Sequence, residues 1–372
     1  MRILYVQSGF NVGGVALRSL EYVQALRARE VEVDVLTITA RADSEWIREA
    51  VKSSGACISV LPWPLSAPRS GRWVTRMMSQ RKYDAVHAVV NHTSGPFMYI
   101  AYMVGIPIRV AHYRVARLEY PNILRRIRAR FWRHRVLRYA THVICVSEAV
   151  RDALFPRHNS SDCRFHVVPN GLSERYFSTG DPAPTNTAEA RGPILGFVGR
   201  LSPQKMPFDF LDALQIIKSN CRDAQGVMVG DGPLRAALEI RIQKLGLTDS
   251  VSLAGTVADV RSYYRTIDVL LLTTAFEGLP GVVLEAQAQG LPIVAYDAPG
   301  VREALAPGQV LVPIGDTHAL ATAAVQLLEK PEVRQRIGRE AREWTWRHFR
   351  LDDIVETWLR IYQGEAHDAG MR

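Results

Sequence analysis

The sequence predicts two α/β domains in tandem, each a Rossmann-like, doubly wound parallel sheet covered by helices on both faces. Three observations predict it. The chain has 372 residues, more than one ordinary core takes and enough for two. Short runs rich in Val and Ile, apolar on both faces, alternate with segments of helical spacing, as in sheets buried from both sides. That alternation stops once, at a stretch without periodicity, and then restarts.

Taken in order, RILYVQ, VEVDVLTI, ISVLP, DAVHAVV, RVAHY and THVICVS read as strands of the first domain. Segments such as VALRSLEYVQALRARE between them read as helices. The first domain is assigned to residues 1–175. STGDPAPTNTAEARGP, rich in Pro, Thr, Ala and Gly, marks a linker over 176–192. The second domain, 193–349, carries GPILGFVG, QGVMVG, VSLAG, VLLLTT, LPIVAYD and QVLVP as strands. Two helices close the chain, PEVRQRIGREAREWTWRHF and LDDIVETWLRIY, the latter (350–372) returning to the first domain. No solenoid or heptad repeat is present. Ligands of such sheets bind beyond the carboxyl ends of the strands, so the loops there are where chemistry is sought.

Composition narrows the classes. Hydrophobic residues are 47% and charged residues 22%, ordinary for a globular protein. MRILYVQSG enters a strand directly, with no signal peptide expected. GPFMYIAYMVGIPI is broken by Gly105 and Pro107 and falls short of the roughly 20 residues a span needs. Cys57, Cys145, Cys163 and Cys221 are scattered without metal-ligand spacing and read as reduced thiols of a cytoplasmic protein. The net charge of +9 is local. Ten arginines and one glutamate lie between Arg109 and Arg138, leaving the remainder near neutral. One surface therefore faces something acidic: a membrane, a phosphate-bearing substrate or nucleic acid.

The sharpest motif follows the strand VLLLTT: Glu277, Gly278, Leu279, Pro280, Gly281, Val282, then Glu285. Pro280 suits the first position of a helix. The amides of Gly281, Val282 and Val283 would then point into the cleft and bind phosphate with the helix dipole, worth about 0.3–2 kcal/mol. Glu285 lies roughly 7–8 Å further along the axis, where a carboxylate holds ribose hydroxyls. Glu277 would face the sugar. An acidic loop with a surface helix is the plainer alternative, but it leaves Glu285 inside an apolar helix without a reason. Arg200 and Lys205, after the second domain's first strand, can clamp a diphosphate and neutralise it as a leaving group. There is no D-x-D motif, and neither a metal nor a cofactor is expected. Gly13 and Gly14 allow close backbone approach. Their loop is not a dinucleotide fingerprint, so nicotinamide binding is rejected. Gly230 and Gly232 form a turn after a strand.

These motifs together resemble family 4 of the retaining glycosyltransferases, the glycogen-synthase-like group 1 enzymes. The resemblance rests on E-x7-E in its EGLP form, Asn11 to Gly14, Val146 to Val150 and Val167 to Leu172. It extends through Gly199 to Lys205 and Val229 to Leu234, in the family's order and spacing over nearly the whole chain. It implies the GT-B fold, two Rossmann-like domains facing across a cleft that closes on the donor. It implies transfer of a sugar from a UDP-sugar (favoured) or a GDP-sugar to a hydroxyl acceptor, in polysaccharide, glycolipid or metabolite synthesis. The leaving phosphate would help deprotonate the acceptor on the retained face. It places the nucleotide base near Gly230 and Gly232, and it matches His112 to an active-site histidine and His87 to a second histidine of the cleft. Two departures stand out: the family's usual Lys-Gly is Lys205-Met206, and Gly281 replaces a larger residue. A GT-B epimerase or a non-catalytic nucleotide-sugar-binding subunit are the competing functions.

Pro121 to Arg138 reads as a basic amphipathic helix with Leu124, Ile127 and Phe131 on one stripe. It suggests peripheral contact of Arg125–Arg138 with anionic lipid, or a lipid-linked acceptor. Packing of the stripe inside the protein is the alternative. No nucleic-acid module is present.

Overall fold

The computed structural model describes the chain apart from residues 11–13, 40–43, 66, 117–121, 157–161, 178–191, 258 and 366–372. Gly13 and nearly all of the expected linker lie outside the described residues. The chain divides into two compact units, Met1–Gly171 with Leu351–Arg372, and Leu172–Arg350.

Unit 1 runs β1 (Arg2–Gln7), α1 (Gly14–Arg27), β2 (Glu32–Thr37), α2 (Glu45–Ser53), β3 (Cys57–Val60), α3 (Pro68–Arg81), β4 (Ala85–Ala88), α4 (Gly95–Met103), β5 (Ile108–Tyr113), α5 (Ile123–Tyr139), β6 (His142–Cys145), α6 (Glu148–Leu154) and β7 (Phe165–Val167). Its seven strands are parallel, in the order β3-β2-β1-β4-β5-β6-β7. Both faces are covered: Ile3, Leu4, Tyr5 and Val6 of β1 are all at most 1% exposed. Continuous apolar strands are what a doubly covered parallel sheet requires. The order reverses between β1 and β4, so a crevice opens there at the carboxyl ends.

Unit 2 contains β8 (Ile194–Val198), α7 (Pro207–Asn220), β9 (Gln225–Val229), α8 (Arg235–Lys244), β10 (Val251–Gly255), α9 (Arg261–Tyr264), β11 (Val269–Leu272), α10 (Gly281–Ala288), β12 (Ile293–Tyr296), β13 (Val310–Val312), α11 (Thr317–Leu328) and α12 (Pro331–His348). Its parallel order is β10-β9-β8-β11-β12-β13, reversing between β8 and β11. Helix starts follow local chemistry. Pro207 and Pro331 open α7 and α12, and Asp316 caps α11 by accepting from the Ala319 amide at 2.8 Å.

The last helix, α13 (Leu351–Gln363), belongs to unit 1. Its apolar face carries Ile354, Val355, Trp358, Ile361 and Tyr362 into the first core. Trp358 is fully buried and stacks on Tyr22 at 4.2 Å. On the outer side, Arg29 in the turn after α1 bonds Asp352 and Glu356, each at 2.7 Å.

Candidate active site

In unit 2 the polar residues of interest gather beyond the carboxyl ends of β8, β9, β11 and β12. A 3-10 turn, Pro203–Lys205, follows β8. The segment after β11 is sewn to it. Thr273 Oγ1 donates to the Lys205 carbonyl at 3.0 Å, the Ala275 amide donates to Gln204 O at 2.9 Å, and Gln204 Nε2 donates to Phe276 O at 2.9 Å. This stitching presents Lys205 Nζ to Glu277 Oε1, a pair 18% and 11% exposed. Thr274 Oγ1 donates to the same carboxylate oxygen at 3.0 Å. Arg200 is exposed, with no side-chain partner among the described residues. Met206, where the family's glycine stands, has φ +45°. That left-handed geometry explains the preference for glycine and costs methionine about 1 kcal/mol.

Glycines allow this crowding. Gly230 (φ +132°) lies so close to β8 that a Cβ would fall 2.0 Å from Gly199 O. The Gly232 turn holds Leu201, whose amide donates to Asp231 O at 3.0 Å. Gly300 (φ +79°) underlies the acidic loop, since a Cβ there would meet the carbonyls of Glu277 and Gly278 at 2.5 Å. The Glu277 amide donates to Pro299 O at 2.9 Å.

The expected phosphate-binding helix is α10, shifted by one residue. Pro280 is its N-cap, in extended conformation, and Gly281 is the first helical residue. The Val283 amide donates to Pro280 O at 3.1 Å, so it is used within the turn. Gly281 and Val282 are left as the outward donors, as helix starts require. Gly278, Leu279 and Pro280 are buried beneath them. Glu285 is 9% exposed, and Tyr264 of α9 donates to its Oε2 at 3.2 Å. Its carboxylate leans back along the helix, because a Cβ on Gly281 would lie 3.9 Å from Oε1. The acid and the amide tip therefore stand side by side.

Three supports went unread in the sequence: Tyr264, Gly300 and Gln287. Gln287 is fully buried, donates to Ala304 O at 2.9 Å and to Thr345 Oγ1 at 3.1 Å, and accepts from the Ala306 amide at 2.7 Å. It fixes α10 against its neighbours. A glutamine two residues after Glu285, inside an apolar helix, was the available signal.

In unit 1, Gly14 opens α1. The resemblance matches His112 to an active-site histidine of the family. His112 is the penultimate residue of β5, 1% exposed and beneath α13, and Arg114 is the first residue past the strand. His87 and His112, read separately in the sequence, meet: His87 Nε2 lies 3.1 Å from His112 Nδ1, and His87 Nδ1 lies 2.5 Å from Tyr362 Oη. Burial, then the charge of Arg114, lowers His87 to about 3. Burial, then His87 and Arg114, holds His112 well below 6.5. Burial first of all also keeps the Tyr362 hydroxyl protonated. The arrangement that uses that proton runs Tyr362 O–H to His87 Nδ1, then His87 Nε2–H to His112 Nδ1. It leaves a hydrogen on His112 Nε2, which is buried without a partner.

Helix α5 corrects the packed-stripe alternative. Leu124 is 73%, Ile127 60% and Phe131 46% exposed, and Ala129 and Val136 are the residues that pack inward. Arg126, Arg128, Arg130 and Arg138 are exposed beside the stripe; the Arg125 side chain lies outside the described residues. No helix among the described residues is long and apolar enough to cross a membrane.

Two sequence families match the chain, the glycosyl transferase 4-like domain over residues 13–171 and the glycosyl transferases group 1 over 184–344. The chain belongs to the group 1, family 4-like glycosyltransferases. Among relatives of these glycosyltransferases, EpsF of Bacillus subtilis is 29% identical over 80% of this chain and 79% of its own. The α-D-kanosaminyltransferase of Streptomyces kanamyceticus is 26% identical over 86% and 91%. Among solved structures, HepE of Anabaena in complex with UDP has a TM-score of 0.83 at 20% identity, covering 98% of this chain and 100% of that one. That likeness shows the GT-B fold.

Proposed function

We propose that this glycosyltransferase moves a sugar, with retention and without a catalytic metal, from a UDP-sugar to a hydroxyl acceptor. The observation that carries the reading is the Lys205–Glu277 pair beside the Gly281–Val282 amides and the Glu285 carboxylate, all on one rim of unit 2. The amides and Lys205 take the diphosphate, and Arg200, exposed and without a side-chain partner among the described residues, joins them. Once Lys205 turns to phosphate, Glu277 is released to accept sugar hydroxyls. Glu285, backed by Tyr264, accepts those of the ribose. The cations stabilise the diphosphate as the glycosidic bond breaks, so that its oxygen can take the acceptor's proton on the same face. The turns at Gly230 and Gly232 receive the base. His112 acts through its neighbours rather than by contact, and Gly13 and Gly14 offer backbone to the substrate. UDP bound in HepE supports uridine over guanosine.

The exposed stripe and arginines of α5 fit a second role, seating this cytoplasmic protein on an anionic membrane surface. The galactosyltransferase of Escherichia coli, 27% identical over 60% of this chain, is named for a diphosphoundecaprenol acceptor, which supports a lipid-linked one.

Thermal melting with UDP- and GDP-sugars, with and without magnesium, tests the reading. Ligand at a hundred times its Kd adds about 2.7 kcal/mol. One UDP-sugar should raise Tm selectively and equally without magnesium. Stabilisation that requires magnesium would remove the metal-free mechanism, and no shift with any nucleotide sugar would remove the donor site.

A further inference from the structure

Arg114 is a charged residue of unit 1 that the donor site does not use. It is the first residue past β5, at the carboxyl rim of the sheet and close to the reversal between β1 and β4. Its backbone amide donates to Asn91 Oδ1 at 2.9 Å, and one terminal nitrogen donates to Asn170 Oδ1 at 3.3 Å. The guanidinium lies 6.0 Å over the Tyr22 ring, and the Tyr22 hydroxyl is itself fixed by accepting from the Gly171 amide at 2.7 Å. The backbone is thus held by Asn91 and the side chain by Asn170 and Tyr22.

No carboxylate pairs with it among the described residues, and its second terminal nitrogen is buried with no hydrogen-bond partner. Arg114 as a whole is half-buried, but a cation with a buried, unpaired nitrogen and no counter-charge is costly, and natural chains keep one where something supplies the charge. On the other flank of the reversal, Gln7 ends β1 on the same sheet face, 2% exposed, with its side-chain nitrogen also unpartnered. Both orphaned groups are donors. The rim therefore offers two unused hydrogen-bond donors to an acceptor-rich anion. The field of Arg114 is felt nearby, where it lowers His87 and His112 after burial has done so.

We propose that Arg114 anchors an oxyanion, a phosphate or carboxylate, carried by the acceptor substrate of unit 1. This rests on the glycosyltransferase reading and narrows it to acidic acceptors. Arginine suits the task because its fork takes two oxygens at once.

The test is calorimetric titration of the full-length protein, already saturated with UDP so that the unit 2 rim is filled. The titrants are inorganic phosphate and, separately, malonate. Wild type should bind at least one of them, and Arg114→Ala should bind it at least tenfold more weakly while its UDP affinity stays unchanged. Arg114→Lys, which keeps the charge and loses the fork, should fall between, and it carries the comparison should the alanine variant not fold. Binding of phosphate alone points to a phosphorylated acceptor, and of malonate alone to a carboxylate. Equal affinity in wild type and both variants overturns the proposal, as does the absence of any oxyanion binding in wild type. A drop in UDP affinity in Arg114→Ala overturns it too, by assigning Arg114 to the donor. Failure of wild type to bind UDP at all removes the donor-site reading instead, and the phosphate titration then still decides Arg114.

Discussion

Lys205 and Glu277 hold one another in the structure, so each waits for substrate already aimed by its partner. If Lys205 stabilises the leaving diphosphate, Lys205→Ala should lower kcat by about 10²–10³-fold, the scale of losing one well-placed donor to developing charge. It should also lose about 1–3 kcal/mol of stability, since the Glu277 carboxylate then keeps, among the described residues, Thr274 alone. Steady-state kinetics with unchanged kcat would remove Lys205 from the chemistry. The buried histidines make a separate prediction. His87 has its folded pKa depressed to about 3, and His112 moves the same way. An unfolded histidine near 6.5 binds a proton that the folded one refuses. The stability is therefore complete above pH 6.5 and is lost as pH falls from there toward 3. Each histidine should cost up to about 1.4 kcal/mol per pH unit in that window. Urea midpoints at pH 7, 6 and 5 should show the slope, and His87→Asn should reduce it. An unaltered slope in that variant would mean that carboxylates carry the acid sensitivity.

Helices α10 and α5 show what a sequence does and does not display at the scale of one element. The tip of α10 was legible because Glu277-Gly-Leu-Pro-Gly is punctuation, with a proline that fixes φ and two glycines that permit a tight turn. Its register was read one residue early: proline favours the first helical position, but Pro280 stays extended as the N-cap and Gly281 opens the helix. A Cβ on Gly281 would meet only Glu285 Oε1, at 3.9 Å and so in ordinary contact, so Gly281→Ala should raise stability by about 0.4–1 kcal/mol. A fall in Tm would show that the tip needs glycine's freedom. On α5 the apolar residues point two ways: Ile127 and Ala129 are about 200° apart around the axis. Spacing alone shows both stripes and cannot choose the inner one, and only packing against α4 decides it. The outer stripe gives the membrane prediction. Vesicles containing phosphatidylglycerol should bind the protein, and phosphatidylcholine vesicles should not, with arginines near the surface worth about 1 kcal/mol each. Replacing Leu124, Ile127 and Phe131 by serine should abolish binding without lowering Tm. Equal binding to both vesicles would dismiss the electrostatic part.

At the scale of the whole molecule, the chain reads as one unit followed by another, yet its last helix belongs to the first. The sequence announced that helix by its amphipathic spacing, but which side chains it would meet was not legible. Tyr362 and His87 are 275 residues apart and touch only because α13 covers the sheet. The covering face is continuous: Trp358 contacts the rings of Tyr5, Tyr22, His87 and His112, so it joins α1 to three strands. Trp358→Ala should therefore remove about 3–5 kcal/mol, and the loss should be felt in a particular place. Amide exchange should accelerate in β1, β4 and β5, over 240 residues upstream of the substitution, while β8, β11 and β12 keep their protection. The UDP-induced stabilisation of unit 2 should survive, because none of Lys205, Glu277 or Glu285 draws on α13. Acceleration confined to unit 2 would mean that α13 does not serve the core in which it is buried. Equal acceleration in both would mean that the two cores, separate in their contacts, unfold as one cooperative body.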